Sequence, residues 1–408
     1  MAAVPAWTML PDLDEAYHMM IRSQSSDPIA IGTLFSETGG TARVESSLKR
    51  AAILAVEQIN AEGGLLGRDL QILGCDPQSV PRLYKLGAAE MLAEQGVRYI
   101  FGCYTSACRK AVLPEVERHG GLLFFPTFYE GFEFSQNCIY SGCAPNQNIT
   151  LMLQHMLKSH GRRFYLVGSN YVFPYETNRI VRDYVSMNGG AVVEERYVPM
   201  APANEQIERI LDEIAAHPDV LVISTLVGDN ILPFYRGYRR RGIDPWQRPI
   251  ASPVTSEAEI AGMDLLDAAG HISSAPYFQS IASPQNRAFL AAYAQRFGSS
   301  LDVCSTTEAV YLQMHLFAAA VRRCGSLEPE AVRRALPDQP FLAPQGLVGI
   351  DRATQHTRLW PRIGRVTPEG QFRILAAAPA AVAPDPYMIT PEDEMRSLSV
   401  AQGGIAMP

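Results

Sequence analysis

Residues 101–110, FGCYTSACRK, set two cysteines, a tyrosine, a threonine and a serine between an apolar run and a helical pattern. Those residue types fit three chemistries: a thiol site, a metal site, or hydroxyls aimed at something small. Cys103 and Cys108 share their spacing with Cys138 and Cys143, and structural zinc sites tolerate it. The placement argues against metal, because Cys103 closes a strand pattern and Cys108 falls inside the following helix, whereas zinc ligands come from tight knuckles that let thiolates converge. A nucleophilic cysteine needs a base within reach, and no local pattern supplies one. The thiols are read as small buried hydrophobes.

His155 and His160 are five residues apart, about 140° around a helix, so one ion does not easily see both. The HExxH, GxSxG and P-loop patterns are missing, as is GxGxxG after a strand. The reading is therefore a binding protein that needs neither metal nor cofactor, not an enzyme. What survives is oxygen: Tyr104, Ser106, Thr127 and Tyr171 each follow an apolar strand pattern. Neutral donors and acceptors in a dry cleft suit an uncharged polar ligand whose carbonyl accepts and whose NH2 donates. A bound carboxylate or ammonium wants an opposite charge or a set of helix-end amides. Two plainer roles stand beside this one: Ser106 as a helix cap, and Tyr171 as a core aromatic with its hydroxyl on the backbone.

The elements that must position these groups alternate. After an arm over 1–27, DPIAIGTLF begins a strand; helix 42–61, strand 69–75, helix 81–95, strand 97–102, helix 106–119 and strand 121–126 follow. A second series runs through helix 147–160, strand 163–168, helix 175–188, strand 191–197, helix 203–216, strand 219–225, helix 229–241 and strand 248–252. Then come strand 271–278, helices 284–297, 305–323 and 328–335, and strands 346–350, 358–366 and 371–375. Near-continuous apolar strands separated by helices mean parallel sheets covered on both faces, an α/β doubly wound architecture. At 408 residues two lobes are the natural division. Ligands in such folds sit at the carboxyl ends of strands. Those ends, FSETGG, GCYTSA, PTFYEG, GSNYVFP, STLVGDN and SPVTSEAE, are rich in hydroxyls and poor in charge.

Composition narrows the partners. A net charge of −7 argues against a general grip on nucleic acid. The local exception, YRGYRRRGIDPW at 235–246, places arginines at the end of a helix pattern just before Gly242, where cations offset the helix dipole. No apolar window is long enough to span a membrane. Residues 1–22 lack the basic start and apolar run of a secretory signal, and the odd count of seven cysteines fits a reducing compartment, so a cytoplasmic protein is expected.

The run EQINAEGGLLGRDLQIL at 57–73 resembles the first helix, glycine turn and second strand of the Leu/Ile/Val type of periplasmic binding proteins. GCYTSACRKAVLP, FPTFYEGFEFSQN, GCAPNQN and VGSNYVFPYETN resemble the branch that binds urea and short aliphatic amides, over about residues 29–387. GTLFSETGG, PTFYEG, SEAEI and DPY favour, within it, the regulators of aliphatic amidase expression, amide sensors that hold an antitermination partner in check.

The resemblance implies two discontinuous lobes, 28–146 with 277–345 and 147–276 with 346–378, and a tail at 379–408. It implies a small aliphatic amide or urea as ligand and an RNA-binding antiterminator as partner. Ligand contacts carry over to Tyr104, Ser106, Thr127 and Tyr171, with Pro126, Phe128 and Thr255 as walls. Thr105 stands where the regulators have a larger apolar residue and is typical of the urea binders, and Phe128 replaces a proline beside the ligand, which shrinks or repacks the pocket. Two alternatives stand beside it: the substrate receptor of a urea or amide ABC transporter, and an enzyme acting on amides. A homo-oligomer is left open.

Overall fold

The structure, a computed structural model, describes residues 27–388. The arm expected over 1–27, apart from Asp27, and residues 389–408 of the expected tail lie outside the described residues. Strands β1 Ile29–Leu34, β2 Leu70–Cys75, β3 Tyr99–Gly102, β4 Leu122–Phe125 and β5 Cys138–Tyr140 form the first sheet, in the order β2-β1-β3-β4-β5 with every pair parallel. Strands β6 Arg163–Ser169, β7 Ala191–Val198, β8 Leu221–Thr225, β9 Ile250–Ser252 and β10 Ile272–Ala275 are the parallel part of the second sheet. Strands β11 Phe341–Ala343, β12 Gly346–Ile350 and β13 Thr357–Arg358 make a small antiparallel sheet. Strands β14 Arg362–Val366 and β15 Phe372–Ala377 extend the second sheet antiparallel beyond β10.

The helices are α1 Ala42–Ala61, α2 Pro81–Ala93, α3 Ser106–Arg118, α4 Ile149–Ser159, α5 Val172–Met187, α6 Asn204–Ala216, α7 Ile231–Arg240, the short α8 Glu257–Ile260 and α9 Leu265–Ala268, α10 Pro284–Phe297, α11 Ser305–Cys324 and α12 Pro329–Ala335. Successive strand residues serve opposite faces. Tyr99, Phe101, Leu122 and Phe124 pack with α1 and α11, whereas Ile100, Leu123 and Phe125 pack with α2 and α3. In the second sheet Tyr165, Val167 and Val222 meet α6 and α7, while Phe164, Leu166, Leu221 and Ile223 meet α4 and α5. This double burial is why the strands read as continuous apolar runs rather than alternating ones. The two-lobed, doubly wound α/β architecture expected from the sequence is the one observed.

In both sheets the strand order reverses beside the first strand of its series, between β1 and β3 and between β6 and β8. A crevice opens at such a point, at the carboxyl ends of the strands. The chain passes between lobes near residues 144–148, 276–283 and 359–361. Gln147 ties the crossings together: its Nε2 donates to Thr357 O at 2.9 Å and Val382 O at 2.8 Å, and its Oε1 accepts from Ala144 N at 3.0 Å. After β15 the chain runs back as a strap onto the first lobe. There Asn146 Nδ2 donates to Ala383 O and Phe132 N to Pro386 O, both at 2.8 Å.

Two local differences have physical causes. The strand expected over 358–366 is broken into β13 and β14, because Pro361 has no N–H to give a ladder. Residues 346–358, placed in the second lobe by the resemblance, form the small sheet with β11 and bridge to β5 through Tyr140 and His356. The return to the second sheet therefore falls near Trp360, not at residue 346.

Candidate functional site

The route of the chain out of β3 sets the site. Gly102 has φ +159 and a Cβ there would lie 2.6 Å from Leu34 O, so only glycine lets β3 run this close to β1. Cys103 follows with φ +66, a left-handed turn that directs the chain from the strand end into α3. Helix α3 begins at Ser106, and its cap is Thr105, whose Oγ1 accepts from Cys108 N at 3.2 Å. The capping role expected of Ser106 thus belongs to its neighbour. Ser106 has its first-turn side chain free for other partners because Thr105 already satisfies the helix-end amide.

Thr127 and Phe128 leave the end of β4, and Tyr171 immediately precedes α5 in extended conformation. Tyr104, Ser106, Thr127, Phe128 and Tyr171 converge on one void of about 10 Å³ between the lobes, completed by Phe173 and Val227. Phe173 from α5 lies over Phe128 with ring centroids 5.5 Å apart, so an aromatic contact from each lobe closes one wall. A void near 10–15 Å³ holds roughly one water-sized group, so a ligand of four heavy atoms requires Phe128 or the lobes to yield.

The other sequence-derived residues stand apart from this void. Thr105 is the cap just described, and its hydroxyl also donates to Cys108 Sγ at 3.0 Å. Pro126 is buried at the end of β4 but does not line the void. Thr255 lines a neighbouring void of about 20 Å³ that shares Tyr104 and Phe128, and its Oγ1 lies 2.9 Å from the Tyr235 hydroxyl. Phe173 and Val227 lie in strand-end segments that the sequence marks, yet they are apolar, and a search for donors passes over them.

Electrostatics bring the main correction. The strand ends read as poor in charge, but the Ser106 side of the void rests on a buried ionic cluster. Arg109, on the first turn of α3, is fully buried with its Cζ 4.7 Å from the ring centroids of both Phe125 and Tyr129. Its Nη2 donates to Glu130 Oε1 at 3.2 Å, its Nε to Glu133 Oε1 at 2.7 Å, and its Nη1 to Ser106 Oγ at 3.1 Å. Ser106 Oγ in turn donates to Glu130 Oε2. Burial pushes the Glu133 carboxyl up, but the Arg109 guanidinium and the Lys110 ammonium outweigh it and hold the group at about 2. Burial also opposes the charge on Arg109, yet Glu130 and Glu133 keep it above its ordinary range. Glu130, bonded to both Ser106 and Arg109, is the site-bordering residue that the neutral reading missed, although it lies within PTFYEG. The signal was an acid in an otherwise uncharged strand end.

Burial pushes the phenols of Tyr104 and Tyr171 well above their ordinary range, so both are neutral hydroxyls. Neither makes a hydrogen bond to another described residue. Tyr104 also borders a larger cavity of about 270 Å³ at the cleft mouth, lined by Gly39, Gly40, Thr41 and Arg43 of the first lobe and Gly228, Asp229 and Glu259 of the second. The seven cysteines are free thiols. The arginines of 239–241 pair with Asp267, Glu208 and Asp212, and Gly242 ends that helix with φ +67.

Two α/β lobes joined by a multi-strand hinge, with a hydroxyl-lined slot between them at the strand ends, define the class of bilobal solute-binding proteins. The chain belongs to the periplasmic binding protein domain family, Leu/Ile/Val-binding-like, whose model matches residues 29–393. It is 22% identical over 287 residues to Leu/Ile/Val-binding protein homolog 6 of Brucella melitensis biotype 1, a match covering 69% of this chain and 73% of that protein. A shorter match, 28% identical over 121 residues, is to limonene hydroxylase of Geobacillus stearothermophilus, and it covers 30% of this chain but only 22% of that protein. Among solved structures, the solute-binding protein of an ABC transporter from Rhodopseudomonas palustris HaA2, in complex with p-hydroxybenzoic acid, superposes with a TM-score of 0.79. That match has 21% identity and covers 89% of this chain and 99% of that one. A small-molecule site in the cleft is common ground among such folds.

Proposed function

We propose that this chain binds a small neutral amide, of acetamide or urea size, between its lobes and reports it by lobe closure to an antitermination partner that controls amide catabolism. The observation that carries the reading is the convergence of Tyr104, Ser106, Thr127 and Tyr171 on one small slot walled by Phe128 and Phe173. The phenols can donate to a carbonyl, and a slot of about 10 Å³ that must open even for four heavy atoms favours the smallest ligands. Phe128 also borders two neighbouring voids of about 10 and 20 Å³, so it fills space that a larger ligand would need. With four heavy atoms at about 1.5 kcal/mol each at best, affinity reaches about −6 kcal/mol, or tens of micromolar. A partner that distinguishes open from closed lobes is then regulated by the difference in ligand affinity between the two forms. The partner follows from the resemblance of the motifs to amide-sensing regulators, and the cytoplasmic location expected from cysteine usage is the compartment such a partner needs.

A second reading is favoured by the relatives themselves. The Rhodopseudomonas protein is named as a transporter's solute-binding component, so this chain would deliver urea or an amide to a permease. Calorimetric titration with acetamide, urea, butyramide, leucine and p-hydroxybenzoate tests the ligand class. Saturable binding of acetamide or urea at micromolar to low millimolar concentration is expected. Binding only of leucine or the benzoate would sink both amide readings. Capture of an RNA-binding protein from the native host, released or retained on adding the amide, separates sensor from receptor.

A further inference from the structure

Ser106 sits on the void with an unusual history for its oxygen. A serine hydroxyl has one proton and two lone pairs. Here the proton goes to Glu130 Oε2, and one lone pair accepts Arg109 Nη1 at 3.1 Å. Only a lone pair is left for anything in the slot. Glu130 is itself buried and braced on its other oxygen by Arg109 Nη2 at 3.2 Å, so the direction of the Ser106 hydroxyl is fixed before any ligand arrives. Lys110, half out in solvent, adds a more distant cation at 3.7 Å from Glu130 Oε1.

We infer that Glu130 is the specificity-determining residue of the slot: it locks Ser106 as an acceptor, so the slot selects ligands that offer an N–H and turns away carboxylates. The inference rests on the amide reading above and names what enforces it. An amide NH2 placed at Ser106 donates to the remaining lone pair, while its carbonyl accepts a hydrogen bond from a phenol of Tyr104 or Tyr171. A carboxylate of the same shape would set its own lone pair against that of Ser106, and the Arg109 guanidinium behind Ser106 is already matched by Glu130 and Glu133, so no unpaired cation is left to hold the anion. The acid formed when an amide is hydrolysed is such a ligand, so the device separates an amide from its own hydrolysis product. Glu130 is a positioning residue here, since it acts through Ser106.

The test compares acetamide with acetate at pH 7 by calorimetry, for the unaltered chain, Glu130→Gln, Glu130→Asp and Ser106→Ala, with thermal unfolding of each. In the unaltered chain acetate should bind at least about a hundredfold more weakly than acetamide, as expected of a site whose buried polar groups are matched to one partner. In Glu130→Gln the preference should shrink at least tenfold, because the glutamine NH2 can donate to Ser106 and free its proton for an anion. Glu130→Asp should keep the preference even if overall affinity drops. A uniform loss of both ligands with the ratio preserved in Glu130→Gln would mark Glu130 as merely structural and overturn the inference. If Glu130→Gln does not fold, Ser106→Ala decides: the preference for acetamide over acetate should shrink at least tenfold, and an unchanged preference would overturn the claim. An unaltered chain that binds no amide fails at the earlier step and takes the proposed function with it.

Discussion

Arg109 shows what one residue must do when a site is built on buried charge. It lies between two carboxylates and two aromatic faces, with no exposed surface to shed its charge into. A buried ion pair is weak evidence of net stabilisation, but breaking one by removing a single partner is strongly destabilising, because the other charge is stranded. Arg109→Met strands Glu130 and most of the binding to Glu133, so it should lower unfolding free energy by about 3–5 kcal/mol. Thermal unfolding by scanning calorimetry measures this, and a loss below about 1 kcal/mol would mean that solvent or Lys110 compensates the carboxylates. At this scale the hydroxyls were legible in the sequence, since polar residues after apolar runs stand out. The pairing of Arg109 with Glu130 was not, because 21 residues separate them and only the packing of α3 beside the loop after β4 brings them together.

At the scale of elements, the loop after β5 does for Thr127 what the turn after β3 does for Tyr104. A Cβ on Gly142 would lie 2.2 Å from the carbonyl carbon and oxygen of Thr127 and 2.6 Å from Phe128 N, all backbone atoms that cannot move aside. Gly142→Ala should therefore push the Thr127–Phe128 segment out of place, losing amide affinity at least tenfold and about 1–3 kcal/mol of stability, the range for an overpacked site. Titration calorimetry with acetamide and thermal unfolding on the same sample check both, and unchanged affinity would show that Thr127 does not need this backbone position. The long apolar strands and the amphipathic helices could be placed to within a few residues, because burial on both faces leaves a dense apolar signature. Strands β5 and β11 went unseen: three residues are too few for a period, and they are strands only because β4 and β12 pair with them. The small void had no sequence signal of its size, since Phe173 and Val227 are ordinary apolar residues until the second lobe folds against the first.

For the whole molecule, the hinge holds a titratable group of its own. Glu308, on α11 of the first lobe, accepts from Gln345 Nε2 at 2.8 Å and from Gln345 N at 3.3 Å. Arg362, on β14 of the second sheet, donates through Nη2 to Gln345 O and through Nη1 to Trp360 O, both at 2.8 Å, and also to Pro276 O. One glutamine thus links a buried acid in one lobe to a buried cation in the other. Burial pushes Glu308 up to about 7, although Gln345 and Arg362 favour its charged form, while burial lowers Arg362 only to about 10, so the arginine stays charged throughout. Because the folded value lies above the unfolded one, near 4.5, the native state keeps a proton that the unfolded chain releases. The contribution is fully present below about 4.5 and is lost as pH rises to about 7, a change of about 3 kcal/mol. Glu45 and Glu257, pushed up to about 7 and 8 by burial, slope the same way. His271 and His356, held down by burial, lose stability in the opposite direction, as pH falls below 6.5. The total curve mixes these, so the difference between Glu308→Gln and the unaltered chain isolates the hinge acid. Relative to the unaltered chain, the variant should gain about 2.5 kcal/mol between pH 5 and pH 8 in thermal unfolding, whatever its offset at pH 5. Parallel stability curves would mean that Gln345 and Arg362 already hold Glu308 ionised in the folded hinge.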